Sequence, residues 1–235
     1  TEEFVRDFTK KYDWINLIRE ENRNGKVSAI NKFISNSSAN NLVLMSGDIL
    51  PGQDFIEKIT QPLGDKNIGV VACRPVPLTR NKGFLDFLTR FQWKLSHKIS
   101  LKNPKFGEAI AFRKVFSSIP STAVDEEYIA KLIKKCGFGG FYQKEAIVYN
   151  KGPETIKDYL AQRRRIYCGH LHLLNSGYRV SSMDYSLLVK AFVESTRFRY
   201  VLYVAGALFL ESAGRFLGFF DYIRGRDHSI WEIAK

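Results

Sequence analysis

Four groupings in this 235-residue sequence carry side chains suited to chemistry. The run Asn41-Leu42-Val43-Leu44-Met45-Ser46-Gly47-Asp48-Ile49-Leu50-Pro51 is apolar until it ends in one carboxylate. Asp125-Glu126-Glu127 opens one helical pattern, Gln162-Arg163-Arg164-Arg165 lies inside another, and Lys26 follows the polar turn Asn22-Arg23-Asn24-Gly25. Each has a plain structural reading. A lone Asp after a strand forms turns or caps helices, acids in a first helical turn are favoured by the helix dipole, and Lys26 serves as a turn residue. The chemical alternative takes them together, with a carboxylate ligand at Asp48 and one acid of the 125–127 group facing a crevice that Arg165 also enters. Consecutive helical residues point about 100° apart, so only one of those three acids is expected to face it.

These groups need a scaffold, and the pattern supplies an alternating one. Residues 2–12 read as a helix with Phe4, Val5 and Phe8 on one face, followed by a strand over Trp14 to Ile18. Val27, Ile30, Phe33 and Ile34 recur at helical spacing. Leu42 to Met45 read as a strand buried on both faces, as in a parallel sheet covered by helices, with Asp48 just past its carboxyl end, where such sheets place their chemistry. A helix over Gln53 to Ile59, a buried strand over Ile68 to Cys73, a helix over Phe84 to Ser100 and a strand over Gly107 to Phe112 continue the series. A helix from the acids to Cys136-Gly137, a strand over Tyr142 to Tyr149 and a helix from Thr155 complete it. The expected class is α/β, a layered sheet with helices on both faces.

The composition is that of a globular chain with a full core, 45% apolar. Thirty-six Lys and Arg against 24 Asp and Glu give +12, a balance that suits a polyanion, an anionic membrane surface or a phosphorylated small molecule. The cations are interleaved with acids through most of the chain and form no recognised nucleic-acid-binding motif, so no nucleic-acid partner is expected. Cys73, Cys136 and Cys168 lack zinc-like spacing and read as reduced cysteines. Tyr200 to Ile223 is apolar and long enough to cross a ~30 Å hydrocarbon core. It also carries Glu211 and Arg215, four apart and able to pair, and Asp221. Arg197, Arg199, Arg224 and Arg226 flank it and suit anionic headgroups. A helix lying in the interface or packed with others is expected in preference to a single-span anchor.

The order and spacing of these groups resemble the family 2 glycosyltransferases of the nucleotide-diphospho-sugar transferase (GT-A-like) fold, in particular the membrane-associated branch that includes cellulose and hyaluronan synthases. Gly25-Lys26-Val27-Ser28-Ala29-Ile30-Asn31 is similar to the segment Gly-Lys-x-x-Ala-x-Asn beside the nucleotide pocket. Ser46-Gly47-Asp48 stands where the family has Asp-x-Asp, with Ser46 in place of the first acid. Val124-Asp125-Glu126-Glu127-Tyr128 resembles Glu-Asp-x-Glu-Leu, and Gln162 to Ile166 resembles Gln-x-x-Arg-Trp, with Ile166 in place of Trp. Phe106 to Arg113 fits the glycine-containing strand that precedes the acids. The resemblance implies Asp125 as general base, Asp48 as ligand of Mg²⁺ or Mn²⁺, and Lys26, Ser46, Gln162 and Arg165 around the nucleotide-sugar diphosphate.

The implied activity is inverting transfer of a hexosyl unit from a nucleoside-diphosphate sugar to a glycan or lipid-linked acceptor, at the cytoplasmic side of the cell membrane. The expected division is a catalytic domain over 1–180, starting too late for the family's first strands, and a membrane-associated helical tail over 181–235. The departures at Ser46, Val124 and Ile166 leave a catalytically degenerate membrane scaffold as a rival. A nucleotidyltransferase of similar fold is a second rival.

Overall fold

The structure is a computed structural model that describes residues 2–78, 83–196, 200–226 and 228–230. Five strands form one sheet in the order β1 (Asn41–Met45), β4 (Ala109–Arg113), β3 (Ile68–Pro77), β5 (Gly139–Asn150) and β2 (Ile49–Pro51). Only β3 and β5 pair in parallel, while β1–β4, β3–β4 and β2–β5 are antiparallel. The sheet is therefore mixed. β1, β3 and β5 run one way, and their carboxyl ends share an edge with the start of β4.

The expected setting of the first strand needs correction. β1 is an edge strand paired antiparallel with β4, and only Leu42 in it is buried. Its apolar run reflects packing on both faces, Leu42 and Leu44 against one core and Val43 against the other, which a fully buried parallel strand would mimic in sequence. No strand forms over Trp14 to Ile18, where Trp14 is 78% exposed and has no partner strand.

Period-two alternation sends side chains of the central strands into two cores. Val70, Ala72, Ile110 and Phe112 pack with Val27, Ile30 and Ile34 of α2 (Lys26–Asn36) and Ile129 and Ile133 of α5 (Asp125–Lys135). Val71, Cys73, Ala109 and Ala111 pack on the other face with Phe55 and Ile59 of α3 (Phe55–Thr60). Helices thus cover both faces. Fully burying a side chain such as Ile34 or Ile59 contributes about 1.5–3 kcal/mol each.

A third core joins α4 (Phe84–Ser100), α6 (Ile156–Asn175), α7 (Tyr185–Ser195) and α8 (Val201–Ile223) through Leu88, Phe91, Tyr159, Val204 and Leu210, with Phe192 against it. α8 lies along α6, and the glycines at 214 and 218 make the approach possible. A Cβ at Gly218 would stand 2.5 Å from the Arg164 carbonyl oxygen, and one at Gly214 would stand 2.6 Å from Arg163 Cβ. Asp221, fully buried, pairs with Arg164 and accepts from His228 at 2.8 Å. The expected Glu211–Arg215 pair forms at 2.8 Å. The apolar face of α1 (Glu2–Lys11) stays in solvent, with Phe4 and Phe8 exposed. Arg197 and Arg199 lie outside the described residues.

Candidate active site

One cleft of about 1100 Å³ opens at the shared edge of the sheet, and every residue singled out for chemistry lines it: Lys26, Ser46, Asp48, Asp125, Gln162 and Arg165. Gly25, at φ +84, turns the chain into α2 so that Lys26 begins the helix facing the cleft. Asp48 sits in the turn between β1 and β2, exposed to the cleft.

At the start of α5 the acids differ from the expected pattern, because two of them face the same cation. The Lys26 ammonium lies 2.8 Å from Asp125 Oδ2 and donates to Glu126 Oε1 at 2.5 Å. The contact with Asp125 is an ion pair without a well-directed hydrogen bond, and Oδ2 is buried with no hydrogen-bond partner among the described residues. Burial alone would lower the lysine's pKa, but the charges of Glu126 and Asp125 outweigh it and raise it. Burial, reinforced by Glu126 and opposed by Lys26, pushes Asp125 up to about 6. Glu127 is buried against the segment that precedes β4. It accepts from the Phe106 backbone N–H at 3.1 Å, and burial pushes its carboxyl up to about 7.

Arg165 extends from α6 toward the same acids, donating from Nη1 to the Ala123 carbonyl at 3.4 Å. Val124 and Ile166, the two departures nearby, belong to one apolar cluster with Leu173 and Val180. Val124 is closely packed, its Cγ1 standing 2.9 Å from where a Cβ on Gly169 would lie. That position is core in this chain.

Glu108 is the residue that sequence reasoning left without a role. The pair Met45–Ala109 closes the β1–β4 ladder, and one step beyond it Ser46 N–H donates to the Glu108 carbonyl at 3.1 Å. Glu108 therefore stands across from Ser46, the position that lacks an acid. Its backbone is left-handed, at φ +61, a conformation that a non-glycine residue adopts at a cost and that concentrates at functional sites. Asn150, at the end of β5, donates to its carboxylate at 2.5 Å. Burial first, then the charges of Glu126 and Asp48, push Glu108 up to about 7. The signal available beforehand was its place after Gly107 at the start of a strand, which becomes informative only with the β1–β4 register.

Among the described residues no group of three or more His, Cys, Asp or Glu is arranged to hold a metal ion alone. The site fits a cation only in the mode that takes one or two carboxylates and completes its shell with phosphates and water.

The sequence matches the family model described as Glycosyl transferase family 2 over residues 1–121, a stretch that contains Lys26, Ser46 and Asp48 and ends just before Asp125. No curated protein matches it. Among solved structures, the chain is similar to a mannosyltransferase, PcManGT from Pyrobaculum calidifontis, in complex with GDP-Man and Mn²⁺. The TM-score is 0.66 at 16% identity, over 97% of this chain and 75% of that one. A mycobacterial protein overlaps at a TM-score of 0.37 and 16% identity, over 65% of this chain and 51% of that one, too little to bear on the fold. The mixed sheet covered on both faces and followed by an apolar helix is a GT-A-like glycosyltransferase fold.

Proposed function

The chain belongs to glycosyl transferase family 2, and on that premise we propose that it is an inverting, metal-dependent hexosyltransferase acting at a membrane surface. The observation that carries this reading is the convergence, in one cleft, of the buried Asp125 carboxylate, ion-paired with Lys26 at 2.8 Å, the exposed carboxylate of Asp48 and the Arg165 guanidinium. Asp125 in its charged form takes the proton of an acceptor hydroxyl. The acceptor oxygen attacks the anomeric carbon as the bond to the nucleoside diphosphate breaks on the opposite face, which inverts the centre. Arg165 and Gln162 lie on α6 to hold the departing diphosphate by charge-assisted and neutral hydrogen bonds. Lys26 fixes Asp125 and Glu126 and, at the amino end of α2, borders the nucleotide side.

Asp48, exposed to the cleft, and Glu108, across the strand from Ser46, would hold a divalent cation of the Mg²⁺ or Mn²⁺ class together with phosphates and water. When bound, such an ion would offset the charge that develops on the diphosphate. Support for the donor class comes from the family and from the neighbour's GDP-Man complex.

The membrane reading rests on α8, the one described helix long and apolar enough to cross a bilayer. Its charged residues turn inward, with Glu211 bonded to Arg215 and Tyr159 and Asp221 bonded to Arg164. Leu202, Phe209 and Phe216, seven apart, stand 83%, 73% and 62% exposed along one stripe. A helix of this kind lies in the interface and holds residues 1–180 against the lipid, on the cytoplasmic side of the cell membrane in this proposal. A thermal-shift panel of nucleotide sugars with and without Mn²⁺, beginning with GDP-mannose, tests the donor reading. A donor whose stabilisation requires metal supports it, and a panel in which no nucleotide sugar raises the melting point removes it.

A further inference from the structure

Lys26 faces the cleft from the first turn of α2, and Asn31, five residues on, turns to a different partner. Its side-chain amide meets the backbone of Ile119 at two points. Asn31 Nδ2 donates to the Ile119 carbonyl at 2.9 Å, and the Ile119 N–H donates to Asn31 Oδ1 at 2.8 Å. A planar amide offers a donor and an acceptor side by side, so one side chain satisfies both backbone groups of one residue. Ile119 lies in the chain between β4 and α5, and its buried side chain belongs to the core that contains Val27, Ile30 and Ile34 of α2. Apolar contact is non-directional and keeps this segment near the helix. The paired hydrogen bonds add register and orientation.

Ile119 stands six residues before Asp125. The chain between them is held at nearly every step. Pro120 fixes its own φ and disfavours helical backbone at Ile119. The Thr122 hydroxyl accepts from the Val124 N–H at 3.3 Å, and Arg165 Nη1 donates to the Ala123 carbonyl at 3.4 Å. The Val124 carbonyl accepts from the Tyr128 N–H at 3.0 Å, which starts α5. At the far end the segment meets α2 again, where Lys26 lies 2.8 Å from Asp125. One helix thus grips the segment at both ends, through Asn31 at Ile119 and through Lys26 at Asp125.

Resting on the reading of Asp125 as general base, we infer that Asn31 is a positioning residue for it: by tying Ile119 to α2, it sets where the first turn of α5 presents the Asp125 carboxylate in the cleft. A displacement of about 1 Å in such a group can cost roughly 10²-fold in rate. An amide that only satisfied a loop would act on stability and not on the base.

The tie is tested first without reference to activity, by hydrogen exchange of wild type, Asn31→Ala and Asn31→Asp. Asn31→Asp keeps an acceptor for the Ile119 N–H and loses the donor to its carbonyl, and it serves both measurements where Asn31→Ala does not fold. Exchange at the Ile119 amide should quicken roughly tenfold or more in Asn31→Ala and less in Asn31→Asp, while amides of β3 and β4 keep their protection. Unchanged exchange at Ile119 in both variants overturns the tie. Equal quickening at Ile119 and in β3 and β4 assigns Asn31 to overall stability and overturns the positioning role. The second measurement is turnover of a donor that binds with Mn²⁺. Asn31→Ala should lower kcat roughly 10–10²-fold with donor affinity, by calorimetry, within about twofold of wild type. The same substitution made in Asp125→Asn should lower the remaining rate by less than about twofold, because the base it positions is already gone. Losses that multiply in the double variant, or a fall in donor affinity as large as the fall in turnover, overturn the assignment. Full turnover by Asp125→Asn counts against the base reading instead, and the tie then stands or falls on the exchange result.

Discussion

Burial, more than the charges beside them, governs how Asp125 and Glu127 titrate. Glu127 shows this most simply, since burial outweighs the nearby charges of Lys105 and Lys134 and raises its carboxyl from 4.5 to about 7. Between those values the folded state binds the proton more tightly than the unfolded chain does. The contribution of Glu127 to stability is therefore most favourable below pH ~4.5 and declines as the pH rises to ~7. Glu127→Gln keeps an acceptor for the Phe106 N–H and removes the charge. It is expected to stabilise the protein by about 1–3 kcal/mol at pH 8 and by little at pH 4.5. Urea unfolding at the two pH values measures this, and a difference that does not change with pH contradicts it. Asp125 follows the same sign in stability, its carboxyl raised from 3.8 to about 6, but the opposite sign in function. The base must be charged, so turnover should climb with pH and level off above ~6, and pH–rate profiles at saturating donor would show it. A rate that is flat from pH 5 to 8 would place the essential base elsewhere.

At the scale of elements, the junction of α6 and α8 does the most to shape the cleft, because it sets Arg163 against Glu211 and Arg215. Gly218→Ala pushes a Cβ toward the Arg164 carbonyl, which is backbone and has little room to yield. A loss of about 1–3 kcal/mol is expected. Gly64→Ala, with nothing within 4 Å of the added carbon, serves as the control. Thermal or chemical unfolding of the pair measures the difference, and equal stability would mean that the helices are not held this closely. Much of this scaffold is legible beforehand. Phe84 to Ser100 repeats its aromatic residues at helical spacing and forms α4 over those residues, and Thr155 caps α6 by accepting from Asp158 N–H at 3.1 Å. What sequence conceals is pairing. Leu42 to Met45 look the same in a buried parallel strand and in an antiparallel edge strand. β2 is only three residues and is defined by its partner β5. α7 was not legible as a separate helix, since much of its apolar surface, Tyr185, Val189 and Val193, faces outward. Among site residues, Lys26, Asp48, Asp125 and Arg165 stand out by type and spacing, whereas Glu108 depends on the β1–β4 register and a left-handed backbone.

For the whole molecule, the account makes α8 both a wall of the cleft and the surface that meets lipid. Deleting residues 184–235 is a poor test of the second role because it strips α6 of its neighbour. Replacing Leu202, Phe209 and Phe216 together by Ser leaves the inward charges in place and removes most of the exposed stripe. Flotation with anionic liposomes should then fall severalfold while the unfolding transition stays cooperative. Unchanged flotation would assign membrane contact to another surface. The catalytic claim is tested most directly by the rate of nucleoside diphosphate release from a donor that binds with Mn²⁺, compared among wild type, Asp125→Asn and Glu126→Gln, with donor affinity measured separately by calorimetry. The account predicts a fall of roughly 10²–10⁴-fold in turnover for Asp125→Asn with donor affinity nearly unchanged, and a much smaller effect for Glu126→Gln. Full turnover by Asp125→Asn would contradict it.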